Sequence, residues 1–253
     1  MPLATKALGG LLHHEQRENK WKSILTSKIW DLPTEKCDIL PALRLSYNHL
    51  PSHLKRCFSY CAIFPKDYEF VDKELIRLRM AESLIQESEG HGQQMEDIGD
   101  DYFQELFSRS FFQSSSNNKS QFVMHDLIND LAKFVTIDIC FSMDDNLETY
   151  QQHTISRKSH YSSFVRGEYD TFIKFEAFQL VDHLRTTLIE LPISPLDYKD
   201  QYVSNKVIHD LALKLRHLRV LSLSGYRVNE IPNSIGDMKH LSYLNFSTTY
   251  IKW

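Results

Sequence analysis

Glycine is scarce in this chain: eight in 253 residues, about 3% where globular proteins carry about 7%. None of the eight is followed by lysine. The G-x-x-x-x-G-K-[ST] loop that cradles nucleotide phosphates is therefore missing, which excludes a stand-alone nucleotide hydrolase of that type. Cysteine is sparse as well. Cys37, Cys57, Cys61 and Cys140 are too few for a disulfide framework in a chain this long and suit reduced thiols. No apolar run approaches the ~20 residues of a membrane span. Met1 to Leu12 make a poor signal peptide, because Lys6 interrupts the apolar patch and Gly9 and Gly10 dilute it. A cytoplasmic location is expected. Sequons at Asn118 and Asn245 carry no weight without a secretory signal. Neither sign of charge is in large excess: 29 Lys+Arg against 33 Asp+Glu leaves −4, too mild to imply a general attraction to nucleic acid or anionic lipid.

What is present is an ordinary globular composition, 42% hydrophobic and 25% charged, in a chain long enough to bury a proper core. Leu3, Ala7, Leu8, Leu11 and Leu12 recur at helical spacing after Pro2, and Trp21, Ile24, Leu25 and Ile29 form a second stripe. A third runs from Ile39 and Leu40 through Leu43 and Tyr47. Pro51 and Ser52 start a helix carrying Leu54, Cys57, Phe58 and Cys61, expected to stop at Pro65. Asp72 is expected to cap another with Ile76, Met80 and Leu84. Met95, Ile98, Tyr102, Phe103 and Leu106 continue the helical period.

The pattern then changes. Phe111–Gln113 and Gln121–Met124 flank a Ser/Asn-rich turn, Ser114–Ser120, and predict a β-hairpin. A helix follows at once, with Leu127, Ile128, Leu131, Ala132 and Val135 on one face. Helices followed by a hairpin are the outline of a winged helix. Residues 136–180 show only short strand candidates such as Thr136–Phe141. Further on, Leu218, Leu221 and Leu223 are repeated 23 residues later by Leu241, Leu244 and Phe246, and Val228 and Ile251 share the offset. That is a leucine-rich-repeat period. Leu184, Thr187 and Ile189 resemble a degenerate earlier copy, and Tyr226 stands in for the usual Asn/Cys. Such repeats need about three copies and caps to bury their ends, so the chain reads as a fragment.

Few residue groupings carry chemistry. His125–Asp126 lies where a strand becomes a helix, a natural seat for an anion because the first-turn N–H groups are unpaired. The competing reading is that Asp126 caps the helix and His125 is a surface residue. His49, His53, Cys57 and Cys61 are spaced by four, but Pro51 breaks the run and both cysteines lie on an apolar stripe, which favours buried thiols over a metal site. The acidic runs Glu96–Asp101 and Asp144–Glu148 fit solvated surface. No nucleophile–base arrangement marks a hydrolase. A nucleic-acid-binding winged helix is the alternative function. It is opposed by charge, since residues 51–135 hold nine Lys+Arg and fourteen Asp+Glu, a net of −5.

Four stretches, in order, resemble plant nucleotide-binding leucine-rich-repeat (NB-ARC/LRR) disease-resistance proteins, most like the coiled-coil class. Pro2-Leu3-Ala4-Thr5-Lys6-Ala7-Leu8-Gly9-Gly10-Leu11 is similar to the end of the GLPLA motif, and Cys57-Phe58-Ser59-Tyr60-Cys61-Ala62-Ile63-Phe64-Pro65-Lys66-Asp67-Tyr68 to the motif opening the winged-helix region. Met124-His125-Asp126-Leu127 resembles the MHD motif, and leucine-rich repeats follow. The resemblance implies a mainly α fold with small β elements. Residues 1–37 would be the end of the helical NB-ARC (ARC) subdomain, 38–150 the winged helix, 151–180 a connection and 181–253 the start of a leucine-rich-repeat α/β solenoid. It implies an ADP/ATP-controlled switch in plant defence, not an enzyme, with Pro2 beside the adenine and His125 on the ADP β-phosphate in the intact receptor. This chain alone, lacking the phosphate loop, is expected to hold no nucleotide tightly. Implied partners are the receptor's other domains, a pathogen effector or guarded host protein met through the repeats, and further copies of the active receptor. Arg79 and Ser83 stand where the family commonly has Trp and Gly.

Overall fold

Proline decides where the first helices begin and where one of them ends. The computed structural model describes residues 2–13, 18–27, 41–86, 92–143 except 117 and 119, 158–164, 181–189 except 182, and 203–247 except 225 and 227. Two units are present, Met1–Thr136 and Ile137–Trp253. Pro2 opens α1 (Pro2–His13) and Pro41 opens α3 (Pro41–Asn48), with α2 (Glu18–Leu25) between them. A first-turn N–H has no helical partner, so proline loses nothing there. Pro51 precedes α4 (Ser52–Tyr60). That helix stops short of Pro65: the chain tightens into a 3₁₀ turn at Cys61–Ile63, and Phe64 is extended at φ −86°, ψ 146°. The residue before a proline avoids the helical region.

Helices α5 (Asp72–Ala81) and α6 (Met95–Ser108) pack together through Ile76, Ile85 and Ile98. Gly99 lets them approach, since a methyl group there would collide with Ile76 and Ile85. The expected cap at Asp72 is corrected: Val71 holds the cap position without a side-chain bond, and Asp72 is the first helical residue, its carboxylate accepting from the Lys73 N–H at 2.7 Å. Both helices end alike. Leu84 N–H bonds the Arg79 carbonyl and Ser83 N–H that of Met80, while Phe111 N–H bonds Leu106 and Ser110 N–H bonds Phe107. These paired bonds require a left-handed residue, usually glycine. Here it is serine both times, with φ 55° at Ser83 and 64° at Ser110.

The predicted hairpin forms, shorter than its sequence pattern. Strands β1 (Gln113–Ser114) and β2 (Phe122–Val123) are antiparallel, with Ser114 opposite Phe122. Phe111 and Phe112 are core residues instead of strand. Phe70 adds a third rung, exchanging backbone bonds with Phe122 at 2.7 and 2.9 Å. A chain of rings ties this wing to the helices. Phe64–Phe70, Phe70–Phe112, Phe112–Phe103 and Phe103–Phe122 lie 4.8 to 5.3 Å apart, three of the four contacts edge-on. One residue after Met124, helix α7 (Asp126–Val135) begins. Helix α3 packs on both α1 and α7, with the Arg44 guanidinium over the Phe134 ring at 5.2 Å.

The second unit is a parallel sheet in chain order: β3 (Cys140–Met143), β4 (Tyr161–Phe164), β5 (Thr186–Ile189), β6 (Val220–Ser222) and β7 (Tyr243–Asn245). Helix α8 (Asn205–Lys214) and a 3₁₀ turn at Asn233–Asp237 accompany it. Register pairs Leu221 with Leu244 and Thr187 with Leu221, matching the offsets read from sequence. Leu218, Leu221 and Leu223 are buried beside Ile208, Leu211 and Tyr226. Leu244 is 41% exposed, because β7 is the last described strand. The strand candidate at Thr136–Phe141 is corrected to β3, with Thr136 capping the end of α7. The expected features at Ile29, Ile39, Leu40, Asp144–Glu148 and Ile251, and most of 151–180, lie outside the described residues.

Serine in a left-handed conformation carries strain that glycine does not. Ser83→Gly and Ser110→Gly are each expected to raise unfolding stability by about 0.5–1 kcal/mol, read as a higher urea midpoint at unchanged slope. A lower midpoint for both would show that the serine side chains stabilise these turns.

Candidate functional site

The start of α7 is built from four neighbouring residues with different tasks. Val123 ends β2, Met124 is buried, and His125 turns extended at φ −63°, ψ 145° so that its carbonyl receives the first helical bonds from Ile128 and Asn129. The helix is capped by His125 and not by Asp126. Its Nδ1 accepts the Leu127 N–H at 3.2 Å, satisfying one of the unpaired first-turn donors. Asp126 is already helical, which corrects the capping role expected for it. Its exposed carboxylate sits at the positive end of the helix, a favourable place for negative charge.

This cap selects a tautomer. An Nδ1 that accepts holds no proton, so a neutral His125 carries its hydrogen on Nε2. His125 is exposed, and that N–H is left as an outward donor at the positive end of a helix.

One turn on, Asn129 fastens α7 to the proline turn. Its buried side chain donates to the carbonyls of Phe64 at 3.1 Å and Pro65 at 3.4 Å. Beside it, Asp130 and Lys66 pair at 2.8 Å. The bond to Asp130 pushes the Lys66 ammonium above its ordinary pKa, with smaller help from Asp126 and Asp67. Lys66 thus offers a cation near Asp126, held by the segment that α7 clamps.

The other candidates do not gather. The His49 Nδ1–H donates to the Leu45 carbonyl, and the His53 ring lies on Tyr102 at 4.5 Å. Cys57 and Cys61 are buried free thiols whose pKa values are raised, chiefly by burial, with Arg79 opposing. Raised thiols are poor nucleophiles and poor metal ligands at neutral pH. Arg79 itself is fully buried; it donates to the Cys57 carbonyl and the Cys61 sulfur at 3.1 and 3.3 Å, while Nε and Nη1 have no acceptor. Among the described residues no group of three or more His, Cys, Asp or Glu side chains converges as a metal site. No described helix is long and apolar enough to cross a membrane. Pro2 is the first residue of α1 and lies on a different element from His125; α3 packs against both elements.

Comparison with known proteins bears on this geometry. Residues 63–132, from the proline turn through most of α7, match the family described as Disease resistance protein Winged helix domain. All of the chain aligns with Putative disease resistance RPP13-like protein 1 of Arabidopsis thaliana at 38% identity and with Putative disease resistance protein At3g14460 of the same plant at 39%. Putative disease resistance protein RGA1 of Solanum bulbocastanum is 35% identical over 99% of the chain. The chain belongs to the plant disease-resistance protein family. It spans about a fifth of the length of these relatives, 23%, 17% and 22% respectively. In this disease-resistance winged helix, α7 is secured by Asn129 and opened by His125. Losing the Asn129 bonds is expected to cost about 1–3 kcal/mol in Asn129→Ala, and losing the cap about 1 kcal/mol in His125→Ala, with His125→Asn recovering most of it. Urea unfolding of the three variants checks the order, and an Asn129→Ala chain as stable as the parent contradicts the clamp.

Proposed function

We propose that this chain is the winged-helix and leading leucine-rich-repeat part of an intracellular plant immune receptor whose ADP or ATP state controls defence signalling. The observation that carries the reading is the division of labour at His125: Nδ1 caps α7 and Nε2–H remains outward. In the complete receptor that N–H would meet the ADP β-phosphate, and Pro2 would lie beside the adenine. The donor set fits one phosphate contact, made by an N–H at a helix start with the Lys66 ammonium nearby. It is not a full cradle, because no Gly-Lys loop occurs in the 253 residues. Bound nucleotide would supply the anion that joins the receptor's domains; what these residues do is hold the winged helix to it. The parallel ladder with its leucine offsets supports the repeat reading, and those repeats would meet an effector, a guarded host protein or other copies of the receptor.

A hydrogen bond to a charged group contributes about 1.5–3 kcal/mol. Only a difference between states moves a switch, so losing this bond from the ADP state alone would raise the active population about ten- to a hundredfold. Placed in a complete family member, His125→Ala is expected to signal without a pathogen at that level. Silence at normal expression would overturn the switch reading.

A further inference from the structure

The strand starts of the parallel sheet carry a segregated set of basic side chains. Carried three residues back from β4–β7, the register lines up Lys158, His183, His217 and His240, one per rung. All four are exposed. Two residues further along the chain, His160, Arg185, Arg219 and Ser242 form a second column, and the backbone joins it rung by rung: Arg185 N–H to His160, Arg219 to Arg185 and Ser242 to Arg219, at 2.7 to 2.8 Å. Between the columns Ser159, Leu184 and Leu218 are buried, so the alternation of a strand turns both columns outward.

The imidazoles stand in a file, one pair of them tilted and one stacked. Ring centres of His183 and His217 are 5.8 Å apart, and those of His217 and His240 5.7 Å at an interplanar angle of 25°. The Nδ1–H of His160 donates to the His183 carbonyl. Exposed Arg216 and Lys239 flank the column. No Asp or Glu occurs in rungs 158–161, 183–186, 216–219 and 239–242, and the exposed Asp138 lies on the adjoining β3 rung outside this set, whereas residues 137–253 together hold thirteen Lys+Arg and fourteen Asp+Glu. The sign of charge at this edge is local, not a property of the unit.

We propose that this edge is a docking strip for an extended acidic segment of a partner polypeptide, with Asp or Glu at alternate positions. Alternate side chains of an extended chain repeat about every 6.6 Å, close enough to the ring spacing for flexible carboxylate side chains to meet successive rungs. Each rung offers an N–H donor, and the arginines add charge-assisted bonds to carboxylates. Nucleic acid fits less well, because a unit without net positive charge lacks the electrostatic drive phosphate backbones require. The strip proposal does not rest on the nucleotide switch, and its failure leaves that reading untouched.

Fluorescence anisotropy of the full chain with a labelled alternating Glu-Ser octapeptide tests it. Binding is expected to weaken as salt rises, and to fall at least about tenfold both in the triple variant His183→Gln, His217→Gln, His240→Gln and in Arg185→Gln, with unchanged circular dichroism. No binding by the parent chain, equal binding by both variants, equal binding of a peptide with the same residues in two blocks, or tighter binding of an oligothymidylate of matched charge would each overturn the proposal.

Discussion

A helix that follows a strand after only two residues, Met124 and His125, must find partners for its first N–H groups at once, and in this chain an imidazole provides one. The bond from Leu127 N–H to His125 Nδ1 marks where α7 starts, one turn before Asn129. Through Asn129 the helix then holds the carbonyls of Phe64 and Pro65, the turn that Pro65 itself creates by ending α4. Cap, clamp and proline turn are thus one connected constraint. It runs through the stretches 57–68 and 124–127 that resemble motifs of the plant disease-resistance family.

Around that constraint the winged helix is assembled from rings and tight turns more than from hydrogen-bonded sheet. Its two strands are two residues each, too short to be stable alone. The ring contacts from Phe64 through Phe70, Phe112 and Phe103 to Phe122, three of the four edge-on, supply what the backbone ladder does not, since aromatic pairs add about 0.5–1.5 kcal/mol each beyond burial. The Ser110 turn that ends α6 brings Phe111 and Phe112 into that core, as the Ser83 turn after α5 buries Leu84 and Ile85, each at some cost in backbone strain. Arg79 carries a related cost: a guanidinium buried with two nitrogens unpaired.

Much of this was legible in the residues. Stripes such as Leu54-Cys57-Phe58-Cys61 announce buried helix faces because the period is strong, and the Ser/Asn turn announces the hairpin. The leucine offsets anticipate the pairing of Leu221 with Leu244. Strand β3 overlaps the Thr136–Phe141 candidate only at its start, and no hydrophobic alternation marks β4, because Ser162 and Ser163 are buried there as hydroxyls, Ser162 bonding the Thr186 carbonyl. Phe70 as a third rung depends on a single bridge that no pattern encodes. The His125–Asp126 pair is visible in the sequence as a candidate, but which of the two caps the helix is not: carboxylates cap far more often than imidazoles, and only the folded backbone brings Nδ1 to the Leu127 N–H.

Cap and outward donor both depend on which nitrogen of His125 holds the proton. Long-range proton–nitrogen correlation spectra of the chain with labelled histidine, at neutral pH, read this directly. The expected result is an unprotonated Nδ1 and a hydrogen on Nε2, with the Leu127 amide protected from exchange. A hydrogen on Nδ1, or a freely exchanging Leu127 amide, would contradict both the cap and the outward donor that the proposed switch requires.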